Sequence, residues 1–319
     1  MSSANVDFPL PLNRLNPWYP GQMGVPGGWT ETGLRQHCTG AVFYVDPNYP
    51  GVSDQRDGTD PTDPLQTVAA ALTKCQPYRG DVIAVMAANY WPIGADATQG
   101  YTNRITENVT INVPSVRLVG VFPTGTVGVP WVPATAGGTC ITVTAVDVLI
   151  EGFCFLDTAA RNASAIHAIW GGSSYGDNLT VRHCYFAGNL DYGVRLTFSY
   201  YTNIHHNRFD GVLVTAINDE TTSDSDHVVI YRNLFMNCGN AIKLLGVAEG
   251  HIYENWIHGN GGGTNNFIDL TGGANNLVAN NWLGCTLAAG QYNTTCSDAT
   301  SGSWVRNHCI DGETGAAPT

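Results

Sequence analysis

Lysine is almost missing from this chain: Lys74 and Lys243 are the only two in 319 residues. Acids outnumber bases 26 to 14, and the net charge is -12. Duplex nucleic acid and anionic membranes both reward clustered cations, so this balance argues against either as a partner. Charge of any kind is scarce, at 13% of residues. The outer surface must therefore be largely Asn, Thr, Ser and Gly, a neutral polar skin suited to a particle surface or to sugar contact. No stretch approaches the roughly 18 consecutive apolar residues of a membrane span. The opening MSSANVDFPLPLNRLNP has no cationic start followed by an apolar run, so a secretory signal is not expected. There is no CxxC among the nine cysteines. An odd number without that spacing reads as small buried hydrophobes in a chain folded in a reducing compartment. Cys285 and Cys296 are the pair placed to close a short loop.

What the chain does have is repetition. Between Val228 and Leu283 it reads VVIYRNLFMNCG, HIYENWIHGN and LVANNWLGC. Each copy places an aliphatic residue, two outward residues, an Asn, one free position and an apolar residue: Ile230–Asn233–Phe235, Ile252–Asn255–Ile257 and Val278–Asn281–Leu283. Upstream the unit continues as Ile204–Asn207–Phe209 and Val181–Cys184–Phe186, and downstream as Val305–His308–Ile310. The spacings 23, 26, 22, 26 and 27 between lead residues indicate a solenoid. A second row runs in phase: Ala165-Ile166-His167, Gly193-Val194-Arg195-Leu196, Ala216-Ile217-Asn218, Ala241-Ile242-Lys243-Leu244 and Phe267-Ile268-Asp269-Leu270. Each repeat is thus expected to hold two short strands separated by turn residues. Such strands bury a face only by stacking coil on coil, about 4.8 Å apart. The β-branched, Gly- and Asn-rich content rules out helical repeats.

The stacked Ile-x-x-Asn-x-Phe units, with the helix-bearing segment that precedes them, resemble the right-handed parallel β-helix superfamily. Pectate lyases, polygalacturonases and many phage tailspikes share that architecture. The resemblance covers about residues 41–310. It implies an all-β solenoid with a short N-terminal capping helix. The fold hosts enzymes, adhesins and inert virion parts alike, so function must be argued from sites.

Three segments are expected. Residues 1–40 form an extended arm. Its prolines and glycines forbid a helix or a central strand. Yet Phe8, Leu10, Leu12, Leu15, Trp18 and Tyr19 give it more apolar groups than a linker needs. Two readings stand for it: folding back along its own solenoid, or docking on a neighbouring subunit. Residues 41–92 lead into the solenoid. Val42-Phe43-Tyr44-Val45 is a strand, and the DQRDGTD run is turn chemistry. Asp63 and Pro64 are placed as N-cap and first residue of a helix over Leu65–Cys75, with Leu65, Val68, Ala69 and Leu72 on one face. The acids there lack the terminal Glu of a helix–loop–helix calcium site, so turn and cap duty is expected. Residues 93–319 are coils and tail, with a Pro/Gly-rich loop over 122–138 that holds Trp131.

The aligned asparagines Asn207, Asn233, Asn255 and Asn281 read as a structural ladder: Asn tolerates left-handed turns, and stacked amides bond along the axis. Asn108, Asn162, Asn178 and Asn293 begin glycosylation-type sequons that carry no weight without a signal segment. His167, Arg195, Asn218, Lys243 and Asp269 should stack on one outer face. Polysaccharide-cleaving relatives place their acids and bases on such a face, which makes Arg195, Lys243, Asp219 and Glu220 the candidate catalytic set for a lyase or hydrolase. The Asp-Asp pair and Gly-His-Gly of the polygalacturonase pattern are missing, and the aspartate set of pectate lyases is not evident. The bland counterpart is a solvated ladder of mixed polar residues. His183, His205 and His206 come together in the coil register, but Arg182 and Arg208 alternate with them and no Cys or carboxylate completes a set. No metal or cofactor is therefore expected. Tyr231 and Tyr253 extend the same outer row as a shallow strip for sugar or subunit contact.

Together these features point to a non-enzymatic structural subunit of a virus or phage particle. It would be a capsid decoration, tail-associated or fibre protein on the virion surface, assembled in the host cytoplasm and attached to other subunits through its arm. The resemblance implies a homo-oligomer, often a trimer, with a surface glycan as a further partner. The alternative is a polysaccharide lyase or glycoside hydrolase, including a tailspike depolymerase, acting outside the cell.

Overall fold

The computed structural model describes residues 40–86, 104–121, 128–157, 164–169, 177–219, 225–258, 267–284, 296–297, 302–309 and 312–314. The expected N-terminal arm, apart from Gly40, and Cys285 of the possible Cys285–Cys296 pair lie outside them.

Among the described residues the chain winds into a parallel β-solenoid with three sheets. Sheet 1 has ten strands, from Val42–Val45 to Ser303–Val305. Sheet 2 has ten, from Ile105–Thr106 to Gly312–Thr314, and sheet 3 has eight, from Val109–Ile111 to Cys296–Ser297. Each regular coil therefore contributes three strands, where the repeat suggested two. The Ile-x-x-Asn-x-Phe unit is itself two strands. Tyr231 ends the strand Val229–Tyr231, Arg232 and Asn233 make the corner, and Leu234–Met236 begins sheet 2.

Inside, like sits on like. The sheet 1 column runs Ile150, Val181, Ile204, Ile230, Ile252, Val278. The sheet 3 column runs Ile141, Ile166, Val194, Ile217, Ile242, Ile268. In sheet 2, Phe155, Phe186, Phe209 and Phe235 form a buried stack, the last three at centroid spacings of 4.5 and 4.9 Å with planes 6° and 5° apart. Burial of each such side chain contributes roughly 1.5–3 kcal/mol, so the columns supply most of the driving force. Gly193 leaves room for the next coil and for one of these rings: a Cβ there would lie 2.5 Å from the Ala216 carbonyl oxygen and 2.7 Å from Cε1 of Phe209. Trp131, expected in a loop, lies in the strand Val129–Val132, fully buried at the head of the phenylalanine stack.

The corner between sheets 1 and 2 carries the asparagine ladder. The backbone N–H of Asn207 donates to Oδ1 of Asn233, Asn233 to Asn255, Asn255 to Asn281 and Asn281 to Asn307, each at 3.0 Å. Each Nδ2 also donates to the next amide oxygen and to a carbonyl of sheet 1, such as Asn233 to Ile204 at 2.9 Å. The left-handed backbone does not sit on these asparagines, as expected from Asn chemistry. It sits on the residue before: His183 (φ 51), His206 (55), Arg232 (53), Glu254 (54), Asn280 (55) and Arg306 (53). The ladder position is thus selected for its buried amide, and the strained position just outside it is free to vary.

Two more expectations shift. The last coil is set by Trp304, which pairs with Val278, and by Asn307 on the ladder, not by Val305–His308–Ile310. Both triplets fit the spacing, and a one-residue slip moves every side chain to the other face. The helix α1 spans Val68–Lys74, shorter than expected, and its N-cap is Thr67, whose hydroxyl accepts from Ala70 N at 3.1 Å. Asp63 instead pairs with Arg56 at 3.0 Å. Asp54 takes the N–H groups of Gln66 and Thr67, both at 2.9 Å, so the acids serve as turn and cap groups. The helix packs Val68, Ala71 and Leu72 onto the first coils. At the other end, Gly312–Thr314 runs antiparallel to Asn307–Cys309.

Candidate functional site

The outer face of sheet 3 carries the predicted ladder in register: His167, Arg195, Asn218, Lys243, Asp269. Alternation puts Val194, Ile217 and Ile242 into the core and these neighbours outside. The ladder is not uniformly solvated. Asn218 is 1% exposed and Asp269 is buried, while Arg195 and Lys243 are half-buried. The Nδ2 of Asn218 is buried without a hydrogen-bond partner among the described residues. A buried, unsatisfied amide costs about 1–3 kcal/mol, and this one stands in register between Arg195 and Lys243. Arg195 and Lys243 are two strand spacings apart, about 10 Å. The Arg195 guanidinium lies 4.9 Å from the centre of the Tyr192 ring. Lys243 has no ion-pair or hydrogen-bond partner among the described residues. Two cations around an unused amide donor can take a carboxylate or another singly charged oxyanion.

The structure does not bring the full candidate catalytic set together. Asp219 ends the strand Thr215–Asp219, in register with Leu196 and Leu244, and is fully buried. It therefore replaces an aliphatic residue in the interior column and faces away from Arg195 and Lys243. The period-two rule explains this: Asn218 points out, so its neighbour points in. Glu220 lies outside the described residues.

Sheet 1 holds a second polar group, built over three successive coils and their turns. Arg182 donates Nε and Nη2 to Oε2 of Glu151 at 3.0 and 2.8 Å, and His183 Nδ1 lies 2.9 Å from Oε1. Burial pushes the Glu151 carboxyl up, but His183 and Arg182 outweigh it and hold the group below the ordinary range. Glu151 is the carboxylate that the sequence reading found missing. Its coil does carry a signal, because Ile150, Phe153 and Phe155 have the same offsets as Ile204, Asn207 and Phe209. His205 and His206 complete the group, their Nδ1 atoms 2.8 Å apart. Burial, with the neighbouring histidines and Arg182, drives His205 down to about 3, and burial with His183 and two arginines drives His206 down to about 4. Tyr231 stacks on His205 at 4.6 Å and on Tyr253 at 5.0 Å, as the outer row predicted. Among the described residues no group of three or more His, Cys, Asp or Glu is arranged to hold a metal ion. These side chains are largely paired with one another, so the group reads as a brace between coils.

Other exterior charges close on themselves as well. Arg208 pairs with Asp210 and Arg232 with Glu254, both at 2.6 Å, and His227 lies 2.9 Å from Glu249. Cys75, Cys154, Cys184 and Cys238 are free, buried thiols, and burial raises Cys75, Cys184 and Cys238 to about 12, which fits their reading as small hydrophobes.

With this geometry in place, residues 136–283 match the family whose model is described as a right handed beta helix region. The chain is a right-handed parallel β-helix, as the repeat and its resemblance implied. It is similar to the solved structure of pectate lyase II from Xanthomonas campestris pv. campestris, with 14% identity, a TM-score of 0.54, and 84% of this chain and 78% of that one covered. A variant pectate lyase from Xanthomonas campestris gives 12% identity and a TM-score of 0.50 over 84% and 78% of the two chains. The Dettilon tailspike protein gives 12% identity and a TM-score of 0.24 over 80% and 63%. At these identities the likeness is one of fold. No curated protein matches the chain.

Proposed function

We propose that the protein is a non-enzymatic, glycan-recognising structural subunit of a virus or phage particle. In this reading residues 1–40 attach it to neighbouring subunits of a homo-oligomeric assembly. The β-helix then presents the outer face of sheet 3 to a carboxylated sugar. The observation that carries the reading is the unpartnered buried amide of Asn218 between Arg195 and Lys243. A uronate-type carboxylate would pair with one cation over the buried amide of Asn218, with the other cation nearby to fix its orientation. In a chain with a net charge of -12, a local pair of cations supports selection of one carboxylate rather than attraction of a polyanion as a whole.

Calorimetric titration with polygalacturonate and with neutral dextran tests it. The uronate polymer should bind with an affinity that falls steeply with salt, and Arg195→Ala/Lys243→Ala should weaken it at least about ten-fold. Equal binding of dextran, or unchanged affinity in the double variant, counts against the reading. Deleting residues 1–38 should leave a folded solenoid that no longer joins its assembly. Loss of the fold would favour the fold-back arm instead.

A lyase or hydrolase acting on the same face is the second reading. The specific observation in its favour is that Arg195 and Lys243 are positioned to neutralise a uronate, which is what an eliminating enzyme asks of its cations. Release of unsaturated sugars or reducing ends from a polysaccharide panel, lost on Arg195→Ala/Lys243→Ala, would establish it.

A further inference from the structure

The outer face of sheet 2 changes character towards the C-terminal coils. Its first outward column runs Tyr185, Arg208, Leu234, Trp256, Trp282, His308 in register. Trp256 is 42% and Trp282 45% exposed, which is unusual for the largest apolar side chain. We propose that Trp256, Trp282 and His308 form a stacking platform for the pyranose rings of an uncharged oligosaccharide.

Ring orientation is the first argument. The buried phenylalanines across the same sheet lie face to face, with planes 5–6° apart. A ladder of that kind offers only ring edges to the outside. The exposed column is different: Trp256 and Trp282 are 5.7 Å apart with planes tilted by 45°, and Trp282 and His308 are 6.0 Å apart at 26°. The tilt between the two indoles turns part of a ring face outward, where C–H groups of a sugar can meet it.

The position of Trp282 is the second argument. Its indole leans across Gly284: a Cβ on that residue would lie 3.1 Å from Nε1 and 3.3 Å from Cδ1. The next outward column, Met236, His258, Gly284, thus leaves room for the ring just where it lies. An indole laid over a glycine is held from below and left open above.

Size and charge choose the occupant. Two half-exposed indoles offer on the order of 200 Å². A stable contact with a second copy would need about 800 Å² from each partner. Among the described residues the ion pair on this column, Arg208 with Asp210, lies two coils from Trp256, and the platform is bordered by His258 and, in register with His308, by Glu313. Among the described residues no Lys or Arg occupies the register positions beside the two indoles. Rings repeating at one coil spacing suit a chain of rings laid along the axis. This inference stands apart from the carboxylate reading of sheet 3 and does not rest on it.

The test is titration of the full chain with cello-, malto- and chito-oligosaccharides, followed by indole emission. At least one series should give a saturable change in emission. Trp256→Ala and Trp282→Ala should each weaken binding about ten-fold while far-ultraviolet circular dichroism and elution volume stay unchanged. Trp282→Phe should retain part of the affinity, and Arg195→Ala/Lys243→Ala should retain all of it. The proposal is overturned if none of the three series alters the emission or if Trp282→Ala binds as tightly as the parent. A change in oligomeric state on Trp282→Ala would overturn it too, by making the strip a subunit contact.

Discussion

The Nδ1 atoms of His205 and His206 lie 2.8 Å apart, so one imidazole donates its proton to the other. The geometry admits one proton between the two atoms. If both rings were charged, two N–H groups would face each other, with His183 and Arg182 close by. Burial adds to the same effect, which is why both groups sit far below the usual histidine range.

Acid should therefore loosen the solenoid through this pair. Their folded values, about 3 and about 4, lie below the 6.5 of a free histidine, so the unfolded chain takes up protons first as the pH falls. The stability they contribute is complete above about pH 6.5 and drains away below it, towards their folded values. Glu151, also depressed, extends the loss to lower pH. Urea midpoints measured between about pH 7 and about pH 5 should decline, and a His205→Gln/His206→Gln variant should flatten the slope. An unchanged slope in that variant would show that the pair is not responsible.

Asn233→Ala should be among the costliest single changes at the corner. It removes the acceptor used by Asn207 N and Nδ2 and the donor that serves Ile204 and Asn255, all of them buried. A loss of about 3 kcal/mol is expected in chemical denaturation. Asn189→Ala, on the exposed surface, should stay within about 0.5 kcal/mol. Comparable costs at both positions would contradict the ladder as a source of stability.

Phe209→Ala opens a hole in the middle of the sheet 2 stack, with Phe186 and Phe235 losing a neighbour on either side. The expected cost is about 3–5 kcal/mol, and Phe209→Leu should recover much of it. A cost below about 1 kcal/mol would mean that the stack does not bear on stability.

Asp219→Asn separates an interior role from a catalytic or binding one. Facing the column of Leu196 and Leu244, the side chain should influence the denaturation midpoint and leave uronate affinity within about two-fold. If binding collapsed while the midpoint held, the carboxyl would have to reach the outer face after all.

Much of this was readable before any coordinates, because parallel stacking makes each coil repeat the side-chain alternation of the last. Ile204, Ile230 and Ile252 announced the sheet 1 column, and Arg195, Asn218 and Lys243 the outer face of sheet 3. What failed to show is instructive. Asp219 follows an outward residue by one, and counting in twos would have turned it inward. Its charge suggested a loop instead. Trp304 and Asn307 were displaced by Val305 and His308 because both triplets satisfy the spacing, and only the amide ladder distinguishes them. Glu151 precedes the regular repeats, so its reach to His183 on the next coil depends on stacking that the irregular early coils disguise. The half-open indole of Trp282 could not be inferred from sequence, since exposure on a sheet face depends on what its neighbours, here Gly284, leave uncovered.

The reversed final strand has a further effect. Asn307–Cys309 is covered by Gly312–Thr314 running the opposite way. A second molecule arriving at that end of sheet 2 would find a strand pointing against its own direction. It could not simply carry the winding onward. Among the described residues this stop belongs to sheet 2 alone, since sheets 1 and 3 end on the parallel strands Ser303–Val305 and Cys296–Ser297.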